Sequence, residues 1–185
     1  MNTIKTERLV LRELIPDDAG KMFELDSNPE VHKYLGNNPI QNIEQAKEVI
    51  KIIRQQYLDN EIGRWAAIEK SSGEFIGWSG LKFITEPKNN HVNFYDVGYR
   101  LIPKYWGKGY ATESTKAWLD YGFTKMNLKE IIGTCHEENK ASRRALEKCG
   151  LKFVEKFLYK NELPCDWLKI TKEEWKLIQL PTTKI

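Results

Sequence analysis

Two glycines, Gly107 and Gly109, lie directly before a predicted helix, with Lys108 between them. Glycine adopts backbone angles that other residues avoid, and it leaves room for a ligand to come close. The first turn of a helix has N–H groups without partners, and the helix dipole favours an anion there. The segment therefore predicts a binding site for a diphosphate, and the alternative is that the glycines only form a turn.

Two other phosphate-binding motifs do not fit this loop. A Walker loop is excluded because no Gly-Lys-Ser or Gly-Lys-Thr closes the segment. The dinucleotide fingerprint G-x-G-x-x-G requires a third glycine, but the residue three positions after Gly109 is Thr112.

The elements around the loop predict a sheet flanked by helices. Strands are predicted over about residues 8–12, 65–69, 75–83, 93–101, 130–135, 152–158 and 167–171. Helices are predicted after Pro16, over about 43–60, over 111–125, over 139–149 and after Thr171. Asn42 and Asn139 are the predicted caps of the second and fourth of these helices. The second has an apolar stripe of Ile43, Ala46, Ile50, Ile53 and Tyr57. The three serial strands between residues 65 and 101 favour an antiparallel meander.

Length and composition indicate one ordinary globular domain over residues 1–185. The chain has 41% hydrophobic and 30% charged residues, and a formal net charge of +3. This charge is too small to predict nucleic-acid binding. No apolar run is long enough for a membrane span, and the first residues lack the apolar core of a secretory signal, so we expect a cytoplasmic protein.

The three cysteines Cys135, Cys149 and Cys165 are widely spaced, without a C-x-x-C pair. A structural zinc site needs four grouped ligands, so we expect no metal and reduced thiols. None of the cysteines adjoins a helix start and a base, which disfavours a covalent acetyl-cysteine route.

Two separated segments resemble a known family. Trp106–Glu113 resembles the pyrophosphate-binding loop of GNAT acetyltransferases, written Q/R-x-x-G-x-G/A. Asn139–Ser142, followed by Leu146–Phe153, resembles the N-x-x-S helix start and the G-x-x-F-like end of the next block of that superfamily. The first position of the loop motif is Lys104, where the family has Gln or Arg; lysine can serve only as a point charge there.

The two ends of the chain resemble one branch of this family. Thr6–Arg12 and Glu173–Trp175 are similar to the acetyltransferases that modify ribosomal-protein N-termini. The resemblance implies the GNAT fold, an α/β fold with a mixed, largely antiparallel central sheet of about seven strands flanked by helices. It also implies acetyl-coenzyme A as co-substrate, an amine acceptor, and a monomer or homodimer. From the charge and the apolar pattern we expect neither nucleic acid nor a membrane as a partner.

The resemblance further implies how acetyl-coenzyme A binds. The pantetheine arm would pair with backbone groups of one strand, like an added strand, and the pyrophosphate would bind the N–H groups of the loop. The implied residues are Tyr99, Arg100, Leu101, Trp106, Gly107, Lys108, Gly109, Tyr110, Ala111, Thr112, Asn139 and Ser142. Lys140 or Arg143 could meet the adenosine phosphate, unless they only form a solvated helix face.

Acetyl transfer needs a neutral amine, a polarised carbonyl and a proton for the departing thiolate. We expect Asp96 to be the general base or amine anchor, and the alternative is a structural carboxylate. We expect Ser142 to be the general acid, unless its hydroxyl only bonds within its helix. A backbone N–H near Tyr99–Leu101 would polarise the carbonyl. His136 could line the site, although a lone histidine is more often structural.

Two questions stay open from the sequence. The chain is an enzyme or a non-catalytic acyl-coenzyme A sensor; Asp96 and Ser142 beside an intact loop favour the enzyme. The acceptor is a protein N-terminal α-amino group or a small amine. Its groove would be formed by the region before the meander, with aromatic residues that could equally be core. These aromatic residues are Phe23, Tyr34, Tyr57 and Trp65.

Overall fold

A computed structural model describes residues 3–180, which form one mixed sheet with helices on both faces. The strands are β1 (Thr3–Lys5), β2 (Leu9–Glu13), β3 (Arg64–Glu69), β4 (Phe75–Ile84), β5 (Phe94–Leu101), β6 (Glu130–His136), β7 (Lys152–Tyr159) and β8 (Leu163–Thr171). The helices are α1 (Ala19–Asp26), α2 (Pro29–His32), α3 (Ile43–Asn60), α4 (Tyr110–Thr124), α5 (Lys140–Lys148) and α6 (Lys172–Gln179).

The strand order across the sheet is β1-β2-β3-β4-β5-β6-β8-β7. The expected mixed, largely antiparallel sheet is confirmed, and so is the meander over β3, β4 and β5. The described residues form eight strands rather than about seven. The additional strand is β1, whose Thr3 pairs with Arg12 and whose Lys5 pairs with Val10.

The parallel pair β5–β6 opens at its carboxyl end. Only Asp96 and Val97 of β5 pair with β6, through Ile132 and Gly133. On its other side, β5 stays paired with β4 as far as Leu101. The two strands therefore separate after Val97, and the last part of β5 presents a free edge toward the gap.

The two faces of the sheet carry different helices. Trp65 of β3 stacks edge-on against Trp118 of α4, with ring centroids 5.0 Å apart. Since Trp65 pairs with Ser79 and Ser79 with Tyr99, these side chains share the face covered by α4 and α5, the α4–α5 face. Arg100 points to the opposite face, the α1–α3 face, where it contacts α1.

Helix α3 follows its predicted stripe with one exception. Ala46, Ile50 and Ile53 are buried, whereas Ile43 at the first position is 40% exposed. The Asn42 side chain caps the helix by accepting the Gln45 N–H at 3.1 Å, as predicted. Within residues 3–180, no helix combines the length and the apolar character that crossing a membrane would require.

Candidate functional site

The glycine loop joins β5 to α4 with two left-handed residues. A short 3-10 turn over Pro103–Tyr105 follows β5, and the chain then reaches Gly107 with φ of 72° and Gly109 with φ of 86°. A side chain at either position would be strained, which is why glycine is present. Gly109 is also the N-cap of α4, so no cap side chain covers the start of the helix.

The loop presents a row of free donors. Glu113 N–H is the first in α4 to bond backward, to the Gly109 carbonyl at 3.0 Å. The N–H groups from Gly107 to Thr112 have no hydrogen-bond partner among the described residues. A Cβ built on Gly107 would meet nothing within 4 Å, so the loop is open on that side, whereas a Cβ on Gly109 would meet Arg8 Nη2 at 3.4 Å. Six adjacent N–H groups at a helix start suit a diphosphate.

The cations near the loop are only partly available to a ligand. Arg8 spans the start of α4, bonding Glu113 Oε2 through Nε at 2.7 Å and the Lys108 carbonyl through Nη1 at 2.9 Å. Lys104 turns away and pairs with Glu74 at 3.0 Å, so it is not a free charge at the loop. Lys108 is exposed and is the lysine of the loop that can reach a bound anion.

The free edge of β5 offers backbone groups of alternate residues. Ile102 N–H bonds the Ile76 carbonyl of β4 at 2.9 Å. Because the bonding direction alternates along an antiparallel strand, Tyr99 and Leu101 direct their N–H and C=O groups to the gap. Trp106 Nε1 already donates to the Leu101 carbonyl at 2.7 Å, which marks that carbonyl as facing away from β4.

The expectation for the Arg100 backbone is wrong. Arg100 pairs with Trp78 of β4, and it lies two residues from Ile102, whose N–H bonds β4, so the N–H and C=O groups of Arg100 also face β4. The backbone of Arg100 is therefore committed to the sheet, and its side chain is the part of the residue that can face a ligand.

Asp96 lies where β5 and β6 separate, but its carboxylate is fully engaged. Lys88 Nζ bonds Oδ2 at 2.8 Å, and Arg64 Nη2 bonds Oδ1 at 3.2 Å. Burial acts to raise the Asp96 pKa, but the charges and hydrogen bonds of Lys88 and Arg64 outweigh it and hold the pKa below its ordinary value. A carboxylate in this state is a poor proton acceptor, so the geometry favours the structural alternative.

Ser142 lies on the α4–α5 face of the gap, beside a tyrosine. Its Oγ is 3.0 Å from Tyr99 Oη, and its N–H bonds the Asn139 side chain, which caps α5 as predicted. Burial raises the pKa of Tyr99 to about 12, so the phenol stays protonated. The phenol has one proton, which can go to Ser142 Oγ or to the Ser142 carbonyl at 3.2 Å; when it goes to Oγ, the serine proton can point into the gap. The sequence assigned Tyr99 only a backbone role and gave no signal for this pair.

The two basic residues of α5 that were expected near the adenosine phosphate, Lys140 and Arg143, contact neighbouring groups. Arg143 bonds Glu147 at 2.9 Å and the buried Asp166 at 2.8 Å. Lys140 Nζ donates to the Glu137 carbonyl at 2.7 Å. These contacts position both side chains, and among the described residues Arg143 Nη2 has no partner, so the expectation that one of them meets the adenosine phosphate stays a prediction.

His136 and the cysteines do not offer a base or a nucleophile. His136 Nδ1 accepts the Glu138 N–H at 3.2 Å, so the neutral ring carries its proton on Nε2. Cys135 and Cys149 are buried, and burial raises the pKa of each thiol to about 12. Both thiols therefore remain protonated.

Of the four aromatic residues expected to line the acceptor groove, two belong to the core. Trp65 is 2% exposed against α4, and the Tyr57 hydroxyl bonds backbone groups at Leu14 and Arg64. Phe23 is partly buried on α1. The ring centroids of Tyr34 and His136, the last residue of β6, are 5.5 Å apart. Of the four, Tyr34 is therefore the aromatic residue nearest to the end of β6, where an acceptor would bind.

An open cleft of about 850 Å³ lies beside Lys88. It is bounded by the loop between β4 and β5 and by the hairpin of β7 and β8, with Lys88, Glu137 and Tyr159 among its lining residues. Lys88 connects the cleft to the point where β5 and β6 separate, since its Nζ bonds Asp96 and Thr134 there.

Comparison with known proteins agrees with this geometry. Residues 8–152 match the model of the acetyltransferase (GNAT) domain family. The chain is 36% identical over 146 residues to the uncharacterized N-acetyltransferase p20 of Bacillus licheniformis, covering 79% of this chain and 80% of that one. It is 32% identical over 191 residues to the FsC-acetyl coenzyme A-N(2)-transacetylase of Aspergillus fumigatus, with 97% and 80% covered. A GNAT-family acetyltransferase structure from Bacillus anthracis superposes with a TM-score of 0.78 at 28% identity, over 93% of this chain and 99% of that one.

Proposed function

Because the chain belongs to the GNAT acetyltransferase family and is an acetyl-coenzyme A-dependent N-acetyltransferase, we propose that it acetylates a primary amine by direct attack in a ternary complex. The acceptor is a protein N-terminal α-amino group or a small-molecule amine. The observation that carries the proposal is the junction of the free edge of β5 with the row of N–H groups at the start of α4 that have no partner among the described residues.

Acetyl-coenzyme A fits this junction in one direction. Its pyrophosphate binds the N–H groups from Gly107 to Thr112, with Lys108 supplying a positive charge. The pantetheine amides pair with backbone groups of Tyr99 and Leu101, as an added strand would. The Asn139 side-chain N–H₂ is free to donate to the same arm, since its oxygen already caps α5. The thioester then lies near the gap between β5 and β6.

The amine and the proton donor lie on opposite faces of the gap between β5 and β6. The amine nitrogen attacks the thioester carbon from the α1–α3 face, the C–N bond forms and the C–S bond breaks. The N–H of Tyr99 or Leu101 stabilises the oxyanion. Ser142, on the opposite face, gives its proton to the thiolate and is reprotonated through Tyr99. Lys88 and Arg64 lower the pKa of Asp96, so its carboxylate has a low affinity for a proton. The proton of the attacking amine therefore leaves through solvent in the cleft.

A protein N-terminus is supported by the segments Thr6–Arg12 and Glu173–Trp175, which resemble the branch acting on ribosomal proteins. The cleft of about 850 Å³ is large enough for the first residues of a peptide and is open to solvent. A small amine would occupy only its inner part.

Initial-velocity kinetics test the ternary complex. With acetyl-coenzyme A and an accepted amine varied together, we expect double-reciprocal lines that intersect, and mass spectrometry of the reaction should find acetyl only on the amine. Parallel lines together with an acetylated Cys135, Cys149 or Cys165 would contradict direct transfer and establish a covalent intermediate.

A further inference from the structure

Arg100 is an anchored cation at the reaction gap that the acetyl-transfer chemistry does not use. Its neighbours Tyr99 and Leu101 serve the pantetheine side, while its own side chain lies on the α1–α3 face. Nη1 bonds Oδ1 of the buried Asp26 at 2.7 Å, and the guanidinium carbon is 5.2 Å from the centre of the Trp78 ring. The Asp26 side chain is 3% exposed, whereas that of Arg100 is 23% exposed.

Most donors of Arg100 are unused. A guanidinium has five N–H donors, and among the described residues only Asp26 accepts from this one. Asp26 and Trp78 fix the plane of the group, so little freedom is lost when a ligand binds. A held guanidinium with a free edge suits a two-pronged contact with a planar carboxylate.

His32 supplies a second, independent sign of a missing ligand. Its side chain on α2 is buried at 7% exposure, and neither ring nitrogen has a hydrogen-bond partner within the described part of the chain. The ring lies against the Asp26 backbone without making a bond of normal geometry. Burial, and then the charge of Arg100, lower the pKa of His32, so the ring is neutral and can donate one N–H. An unpaired buried imidazole is costly unless a ligand completes it.

The excess of positive charge on the α1–α3 face also favours an anionic ligand. Asp26 is matched by Arg100, and Asp96 is shared by Arg64 and Lys88. Lys82 adds a further cation close to Arg64. A polyamine would place more positive charge against these cations, whereas an anionic group is attracted to them.

We propose that Arg100 and His32, with Asp26 behind them, form an anion subsite that selects acceptor amines carrying a carboxylate close to the amine. This inference rests on the proposed function, since it names the acceptor class of the same site. The carboxylate lies against Arg100 on the α1–α3 face and directs the amine toward the gap between β5 and β6. An amino acid, or a peptide with an acidic residue at its start, has this chemistry.

Matched acceptor pairs test the subsite on the purified protein. Alanine and alaninamide differ in the carboxylate, and glycine and aminomethylphosphonate compare a carboxylate with a phosphonate. We expect kcat/KM for alanine to exceed that for alaninamide by about tenfold or more, because only alanine makes the charge-assisted contact with the Arg100 guanidinium. The amine of the amide is the more readily deprotonated of the two, so a preference for alanine cannot arise from intrinsic reactivity.

Three variants connect the preference to the subsite. In R100Q the ratio of kcat/KM for alanine to that for alaninamide should fall to near one, through a rise in KM for alanine. In R100K, which keeps the charge but loses the planar fork, the ratio should fall by a smaller factor. H32Q should lower the ratio as well. Thermal unfolding and the Kd for acetyl-coenzyme A show that each variant is folded.

The outcomes separate this inference from the proposed function. Equal or better turnover of alaninamide and spermidine by the natural protein would overturn the subsite and leave the acetyltransferase intact. A preference for alanine that survives in R100Q and R100K would also overturn it. A preference for aminomethylphosphonate over glycine would overturn the carboxylate as the selected anion and indicate a phosphoryl group instead. Acetyl-coenzyme A binding without acetylation of any amine would contradict the proposed function, and this inference with it.

Discussion

The carboxylate of Asp96 holds the opening between β5 and β6 in place from one side. Its two oxygens bind Lys88 from the β4–β5 loop and Arg64 from β3, and Lys88 Nζ reaches Thr134 Oγ1 of β6 at 2.8 Å. The ion cluster thus ties both separating strands to the loop that borders the cleft. On the other face, Tyr99 and Ser142 form the hydroxyl pair at the gap. On the α1–α3 face the Asp96 ion cluster is structural, and on the α4–α5 face we propose that the hydroxyl pair supplies the proton to the thiolate.

Replacing Asp96 by asparagine should destabilise the protein without shifting the pH profile of kcat. The change leaves two buried cations unbalanced, which costs about 3–5 kcal/mol. Chemical denaturation measures the loss, and D120N on the exposed face of α4 is the matched control. A shifted pH profile with normal stability would restore Asp96 as the base.

The same carboxylate gives the protein an acid-sensitive stability. The Asp96 pKa is lower in the folded protein than in the unfolded chain, so its contribution is present above the unfolded value of about 4 and is lost as the pH falls through the folded value. We expect the free energy of unfolding of the natural protein to fall more steeply below pH 4 than that of D96N. Equal acid dependence in urea titrations at several pH values would show that Asp96 is not ionised in the fold.

Ser142→Ala should lower kcat by about 10²-fold, the lower end of the range for a general acid. Tyr99→Phe should lower it less, because water can replace the phenol as proton source. Thiol release at saturating substrates measures both, and calorimetry should find the Kd for acetyl-coenzyme A nearly unchanged. Ser114→Ala is the control, since that buried hydroxyl bonds only within α4. Normal turnover in Ser142→Ala would leave the serine with a structural role only.

At the element scale, the loop between β5 and α4 offers backbone N–H groups rather than side chains to a ligand. Gly107 and Gly109 place the N–H groups on one side, and Arg8 with Glu113 fastens the start of β2 to the first turn of α4. Helix α5 similarly uses Asn139 to hold its first turn, which sets Ser142 at the gap. The position of the site therefore depends on how two helices begin.

Gly107→Ala should weaken acetyl-coenzyme A binding by about tenfold or more, since the loop can no longer hold φ near 72° without strain. Gly73→Ala is a close control: its φ is 70°, and a Cβ there also meets nothing within 4 Å, but it lies in the β3–β4 turn. Both variants should lose similar stability in thermal unfolding, and only Gly107→Ala should change the Kd measured by calorimetry. An equal Kd in the two variants would remove the loop from the binding site.

Local patterns predicted most of these elements. The stripe of α3, the caps Asn42 and Asn139 and the turn glycines depend on residues close in sequence, and they were found where expected except for Ile43, which is exposed at the start of α3. β1 was missed because three residues carry too little periodicity, and its pairing with β2 is what makes it a strand. The contacts of Asp96 with Arg64, of Arg100 with Asp26 and of Tyr99 with Ser142 join distant segments, so no local spacing could reveal them.

At the scale of the whole molecule, we propose that the chain acts as one domain over residues 1–185. The principal core runs without a break from Leu9 in β2 through Trp118 in α4 to Ile170 in β8. A second, smaller cluster on the α1–α3 face surrounds Trp167, which stacks with His91 of the β4–β5 loop at 5.0 Å. The border of the cleft is thus packed on the same sheet that holds the site.

Acetyl-coenzyme A should stabilise this unit as a whole. A ligand at a hundred times its Kd contributes about 2.7 kcal/mol, which for a chain of this size raises the Tm by about 5–10 °C. Scanning calorimetry should find one cooperative transition that moves upward as a unit. Two transitions, of which only one responds to the ligand, would contradict a single domain.

The most direct test of the central claim is product analysis with acetyl-coenzyme A and a panel of amines. The panel contains a peptide with a free N-terminus, alanine, alaninamide and spermidine. Thiol release and mass spectrometry of the amine are followed in the same sample. We predict thiol release that depends on the amine, matched mole for mole by an acetylated amine, with alanine preferred over spermidine. Acetyl-coenzyme A that binds but releases no thiol with any amine would contradict the account.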